Sequence, residues 1–231
     1  RNFATGQIGP KARTYAIAIG VFNFGFVPIP LSESLFGPNA VAVLFVFNVG
    51  TLLAMWSLGV MLLHGELSSA WSKVLNPPFL SVVFALIINA SGLYLYIPEV
   101  VIKSINMLGM CAIPMSILLM GAMMKDYLAQ CEFRSAFRVC WTSVILRLGL
   151  LPSLMIIAAA WLPFSVELKQ VVLIQASMPA AMFPILISRM YGGNPVIATQ
   201  VAIATTLFSL ITIPLWLRFG TAFLDLKFIG Q

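Results

Sequence analysis

The chain has 231 residues, 61% hydrophobic and 9% charged, with a mean hydropathy of +1.01 and a net charge of +6. A soluble domain needs more polar surface than this, and a transmembrane β-barrel needs short segments of alternating polarity that do not occur here. The sequence therefore reads as an all-α polytopic membrane protein, its positive charge sitting in loops that set topology and not in a nucleic-acid surface.

Residues 1–13 form a polar flank with Arg1, Lys11 and Arg13. The first span, about 14–35, is interrupted by Asn23-Phe-Gly-Phe-Val-Pro-Ile-Pro30. Pro28 and Pro30 lack an N–H and disfavour helix in the residue before each, so the helix should break between Asn23 and Pro30. The second span, about 40–63, follows a turn at Gly37-Pro38-Asn39. A loop at 64–78 with Glu66, Lys73 and Asn76-Pro77-Pro78 leads to the third span, about 79–97. The fourth, about 101–124, contains Pro114. The charged loop 125–138 precedes the fifth, about 139–162, which holds Arg147 and Pro152. The sixth, about 170–190, carries Pro179 and Pro184 and should be a second broken helix; the seventh is about 195–217. Residues 1–13, 64–78, 125–138 and the Arg189 turn share eight Lys and Arg against four on the other side, which places them in the cytoplasm.

The two broken spans correspond. A shift of 156 positions sets Pro28 on Pro184, Ile29 on Ile185, Ser32 on Ser188, Gly37 on Gly193 and Ala42 on Ala198. Two unrelated proline-kinked helices are the plainer alternative. Broken backbone at membrane depth persists only inside protein or against a watery cavity, and paired interrupted helices are the best sequence pointer to a transporter's binding site. A complete repeat would need roughly eighty further residues with three spans ahead of the first broken helix, giving two five-helix halves of opposite orientation. On that scheme residues 1–63 end the first inverted repeat, 64–78 connect in the cytoplasm, and 79–231 form the second.

Several stretches together resemble the auxin efflux carrier family of membrane transporters. They are Asn23-(x4)-Pro-Ile-Pro-Leu31, Asn76-Pro-Pro78, Ala112-Ile-Pro-Met-Ser116 with Gly121-Ala122, Arg147-Leu-(x3)-Pro152, Gln175-Ala-Ser-Met-Pro179 with Pro184, and Ser209-Leu-Ile-Thr-Ile-Pro214. The resemblance implies inverted five-helix repeats with crossed broken helices, similar to bile-acid transporters and sodium–proton antiporters. The crossing pair would be the first and sixth spans. It also implies a substrate such as malate, malonate or an auxin-like acid, an inner or plasma membrane location and a possible homodimer. Pro28 departs from the family, which usually has Gly there, and this touches how closely the backbone packs at the crossing.

Asn23 heads the candidate substrate-binding residues, because its amide can bind a carboxylate or cap backbone freed by the break. Gln175 lies one helical turn before Pro179 and serves either the site or an interhelical hydrogen bond. By resemblance, Asn23 contacts substrate and Gln175 faces the site. Gly25 and Ser177 are secondary candidates. Pro28, Pro30, Pro179 and Pro184 shape the crossover; Pro179 and Pro184 should free carbonyls and expose half-helix N-termini, which suit an anion. Arg147 is the one charge deep within a span; it snorkels, pairs structurally or attracts an anion. Cys111, Cys131 and Cys140 lack metal-ligand spacing, and neither a metal nor a cofactor is expected. The lone histidine, His64, lies in a loop, and no HExxH or paired-acid motif occurs, which argues against an intramembrane enzyme. The expected function is a secondary carrier of small organic anions by alternating access; a non-transporting membrane scaffold or receptor-like component is the alternative.

Overall fold

Prolines set many of the helix boundaries. Five helices open on one, at Pro10, Pro28, Pro38, Pro77 and Pro195, since the first helical position has no intrahelical use for an N–H. The computed structural model describes residues 9–25, 27–64, 77–128 and 133–228. Most of the flanks assigned to the cytoplasm, together with Asn76 and Cys131, therefore lie outside the described residues.

In chain order, α1 is Pro10–Gly20 and α2 is Pro28–Phe36. Helix α3 runs Pro38–Ala54, passes through a π-turn at Met55–Gly59 and resumes at Val60–His64. Helix α4 is Pro77–Ala90, followed by a 3-10 turn at Leu93–Tyr96, and α5 is Glu99–Leu128. Helix α6 comprises Phe133–Ile145, a π-turn at Leu146–Leu150, and Leu151–Trp161. Then come α7 (Val166–Ser177), α8 (Phe183–Met190) and α9 (Pro195–Phe223). Among the described residues there is no strand, and three stretches are long and apolar enough to cross a membrane: Pro38–Leu63, Ala136–Trp161 and Pro195–Phe223. The first and sixth expected spans are each split, into α1–α2 and α7–α8.

The turns between elements are short. Gly37 alone separates α2 from α3, at φ 82°, a left-handed conformation that glycine adopts without a Cβ penalty. Gly193, before α9, is constrained by space: a Cβ there would lie 2.7 Å from Thr14 Oγ1 and 2.9 Å from Ser188 Cβ. Thr14 Oγ1 accepts from the Asn194 N–H at 2.9 Å, fastening the start of α1 to the start of α9.

Three apolar clusters hold the helices. Ile17, Phe24, Met55, Trp56, Val60, Leu63 and Ile187 join α1 and α8 to the end of α3. Ala18, Ile19, Ala180, Ile185, Ala198, Val201 and Ala202 seat α1 and α8 on α9. Toward the opposite end, Phe36, Ala40, Ile156, Leu173, Ile174, Met178 and Leu217 tie α2, α3, α6, α7 and α9 together. Large apolar side chains such as Val46, Leu118, Leu154 and Leu210 point outward, and Trp161 is exposed at the end of α6. Outward apolar residues suit lipid, and a terminal Trp suits the bilayer interface. In such a medium helices associate through van der Waals packing and hydrogen bonds more than through the hydrophobic effect.

Backbone irregularities in the long helices are met by side chains. Pro152 has no N–H to offer the Leu148 carbonyl one turn back. The Trp216 indole supplies the donor instead, Nε1 to Leu148 O at 2.6 Å, from the facing helix α9.

Candidate functional site: two broken helices that cross

Helix α1 ends at Gly20 and the chain turns extended at Val21 (φ −89°, ψ 113°). Helix α7 ends at Ser177 and turns extended at Met178 (φ −75°, ψ 144°). The two unwound segments run antiparallel and pair at Phe22 and Ala180. The Asn23 N–H donates to Pro179 O at 2.9 Å, and the Ala181 N–H donates to Val21 O at 2.8 Å. Each break thereby supplies hydrogen-bond partners for the other, as non-helical backbone in a membrane requires.

Side chains from neighbouring helices satisfy further backbone groups. Asn48, buried near the middle of α3, donates through Nδ2 to Phe24 O at 2.7 Å. Thr205 Oγ1, buried on α9, accepts from the Ala180 N–H at 3.1 Å. In both halves the helix that follows a broken one sends a polar side chain back to the break.

Arg147 lies at the centre, 1% exposed. Its Nε donates to Met178 O at 3.0 Å and its Nη2 to Gln175 O at 3.1 Å. Because Pro179 has no N–H, the Gln175 carbonyl lacks the donor that an unbroken helix would provide, and it accepts instead from the Met178 N–H at 3.3 Å and from Arg147. Arg147 also lies over the Phe22 ring, 5.1 Å from its centroid, within cation–π range. Snorkelling, left open by the sequence, is thus ruled out by burial. The guanidinium caps the C-terminal end of α7, where the helix dipole is negative. Two of its five N–H donors are engaged in these bonds.

The other expected residues divide. Gln175 is fully buried beside Arg147, and its Nε2 donates to Asn48 Oδ1 at 2.9 Å while its Oε1 has no partner among the described residues. Asn23 is half-buried at the crossing, and its backbone is engaged with Pro179. Ser177 is fully buried, with its hydroxyl donated to Leu173 O one turn back at 2.8 Å. Gly25 is half-buried and a Cβ there would meet nothing within 4 Å, so close approach does not require glycine at that position.

The crossover prolines also differ in effect. Pro28 opens α2 and Pro30 follows in the same turn, so two N–H groups are missing there, while those of Ile29 and Leu31 donate to Gly25 O and Val27 O. The first turn of α2 therefore offers an anion no free backbone donor. At α8, Pro184 stands in the first turn and the Ile185 N–H donates to Met182 O, while the Phe183 N–H makes no backbone hydrogen bond among the described residues.

Sequence reasoning missed Asn48, Thr205 and the part played by Phe22. Asn48 had a visible signal, an amide in the middle of an apolar span. Thr205 had none, because threonines returning a hydrogen bond to their own helix are ordinary in spans.

A helical chain with helices long and apolar enough to span a membrane, and with a crossing of interrupted ones, has the architecture expected of a membrane-embedded transporter. Residues 66–217 match the family model described as membrane transport protein. The chain is 26% identical over 203 residues to an uncharacterized transporter of Methanocaldococcus jannaschii, covering 84% of this chain and 64% of that protein. It is 25% identical over 209 residues to an uncharacterized transporter of Methanothermobacter thermautotrophicus, covering 87% of this chain and 65% of that one. It therefore spans slightly less than two-thirds of the length of these relatives. No solved structure matches the chain. The chain belongs to the membrane transport protein family, in agreement with its resemblance to auxin efflux carriers.

Proposed function

We propose that this chain belongs to a secondary carrier that moves small organic anions across the plasma or inner membrane by alternating access at the crossed helices. The observation that carries this is the antiparallel pairing at Phe22 and Ala180 with a buried guanidinium beside it. A crossing held by two backbone hydrogen bonds can act as a pivot for rocking of the surrounding helices. A cation there without a buried carboxylate among the described residues favours a negatively charged substrate. Malate, malonate and auxin-like acids are the classes to test first.

Asn23 is the leading substrate ligand, with Arg147 as the attracting charge; Gln175 contributes an acceptor without a partner, and the first turn of α8 a backbone donor. The inverted repeat is favoured by the matching sequence of break, Pro-led half-helix, glycine turn and long helix in α1–α3 and α7–α9. Residues 1–13, 64–78 and 125–138 are taken as cytoplasmic on their Lys and Arg excess.

The test is uptake of labelled malate, malonate and indole-acetate into proteoliposomes holding the full-length protein, Asn23→Ala or Gln175→Ala. Saturable uptake that collapses in both folded variants supports the site. Uptake indifferent to both substitutions removes the site and keeps the carrier. A folded wild type that transports none of the three refutes the substrate class.

A further inference from the structure

We propose that Arg147 is a resident cation: its guanidinium fills, permanently, a carbonyl-lined seat at the C-terminal end of α7 that would otherwise take a dissociable monovalent cation. Three observations converge. The seat exists because Pro179 withholds the helical N–H from the Gln175 carbonyl, which keeps only the Met178 N–H at 3.3 Å, and because the chain turns extended at Met178, presenting a second carbonyl nearby. Arg147 reaches both, through two separate nitrogens, at 3.1 and 3.0 Å. And it is the one charged side chain among the buried described residues. Its compensation therefore comes from carbonyl dipoles, the helix end and the Phe22 ring, with no buried carboxylate beside it.

Unwound carbonyls and half-helix C-termini are the groups that hold coupling cations in secondary transporters built on broken helices. Here the same kind of group is occupied by a cation fixed to α6 through its own side chain. A tethered charge cannot enter or leave with substrate. The charge at the crossing then stays constant through the cycle, and no sodium or potassium ion is taken up or released at this position. The consequence for transport rests on the carrier function proposed above; the seat itself does not.

The test separates the two by using thermal unfolding of the purified full-length protein, a readout that needs no transport. Wild type should unfold at the same Tm in sodium, potassium and choline chloride at equal ionic strength. Arg147→Ala should unfold about 5–10 °C lower, the Met178 carbonyl having lost its donor and the Gln175 carbonyl keeping only the Met178 N–H at 3.3 Å. That loss should be partly reversed, saturably, by low concentrations of methylguanidinium or sodium over choline. Arg147→Met, which restores volume without charge, should be as unstable as Arg147→Ala, and Arg147→Lys should stay closer to wild type and indifferent to sodium. Saturable stabilisation of wild type by sodium would overturn the proposal. So would Arg147→Met at wild-type Tm, or Arg147→Ala folded and unmoved by any added cation. Should Arg147→Ala fail to fold, the sodium response of wild type and of Arg147→Lys decides alone. Uptake measured in sodium-free medium then reports separately on the carrier function.

Discussion

Asn48 offers the sharpest test of how the crossing is held, because one side chain joins three elements. Its Nδ2 donates to Phe24 O in the first break, and its Oδ1 accepts from Gln175 Nε2 on α7. Asn48→Ala removes both bonds and leaves the Gln175 amide, whose Oε1 already lacks a partner, with neither end engaged. Interhelical hydrogen bonds in membranes contribute about 0.6–1.7 kcal/mol each, so losing two costs about 1–3 kcal/mol. For a chain of this size that lowers Tm by about 3–10 °C. The assay is thermal unfolding of the purified protein, run as a double-mutant cycle with Gln175→Leu. In the Gln175→Leu background, Asn48→Ala orphans Phe24 O alone, so roughly half its cost should disappear, a coupling of about 1 kcal/mol. An unchanged Tm in Asn48→Ala, or strictly additive losses in the pair, would refute the connection from break to helix to break.

Three other substitutions probe different parts of the same framework. Trp216→Phe keeps a ring but withdraws the donor from Leu148 O, and should cost about 1–3 kcal/mol in unfolding free energy. In Pro152→Ala, where a helical N–H becomes available again, that cost should shrink by more than half. Thr205→Val, close in shape, should lower Tm by orphaning the Ala180 N–H, whereas Thr205→Ser should not. Gly193→Ala should be destabilising, since its Cβ would sit 2.7 Å from Thr14 Oγ1 and 3.0 Å from Leu63 Cδ2. Gly50→Ala, whose Cβ meets nothing within 4 Å, should leave Tm unchanged or raise it, because alanine favours helix by about 1 kcal/mol.

The positions of the breaks were legible in the sequence because proline acts locally. Pro28, Pro30, Pro179 and Pro184 each remove an N–H and restrict the residue before them, whatever lies around them. The likeness of the two breaks was legible as well, since Pro28 and Pro184 fall on each other at one shift of register, while their crossing was implied only by the family resemblance. What the breaks do with their backbone was not. Every residue carries a carbonyl, so nothing in the letters says that Arg147 would spend its donors on those of Gln175 and Met178 in place of a carboxylate. Gln175 was expected to face the site or bond between helices, and its Nε2 bonds to Asn48. Ser177 illustrates a further gap: a hydroxyl two residues before a break is drawn to its own helix, at Leu173 O. The α2 N-terminus shows the opposite lesson. Two prolines in one turn remove N–H groups that make a helix N-terminus attractive to anions, which is deducible from sequence.

The central contact between the two broken helices is written in backbone alone, from Asn23 N–H to Pro179 O and from Ala181 N–H to Val21 O. Those atoms are the same in every amino acid except proline. The pairing therefore does not depend on which side chain stands at Asn23, whereas Arg147 lies over the Phe22 ring, and Ala180 and Ala181 are buried. The contact persists as long as no proline enters at Asn23 or Ala181. Under the carrier function proposed above, a change of side chain at Asn23 alters what is bound and leaves the backbone pairing in place.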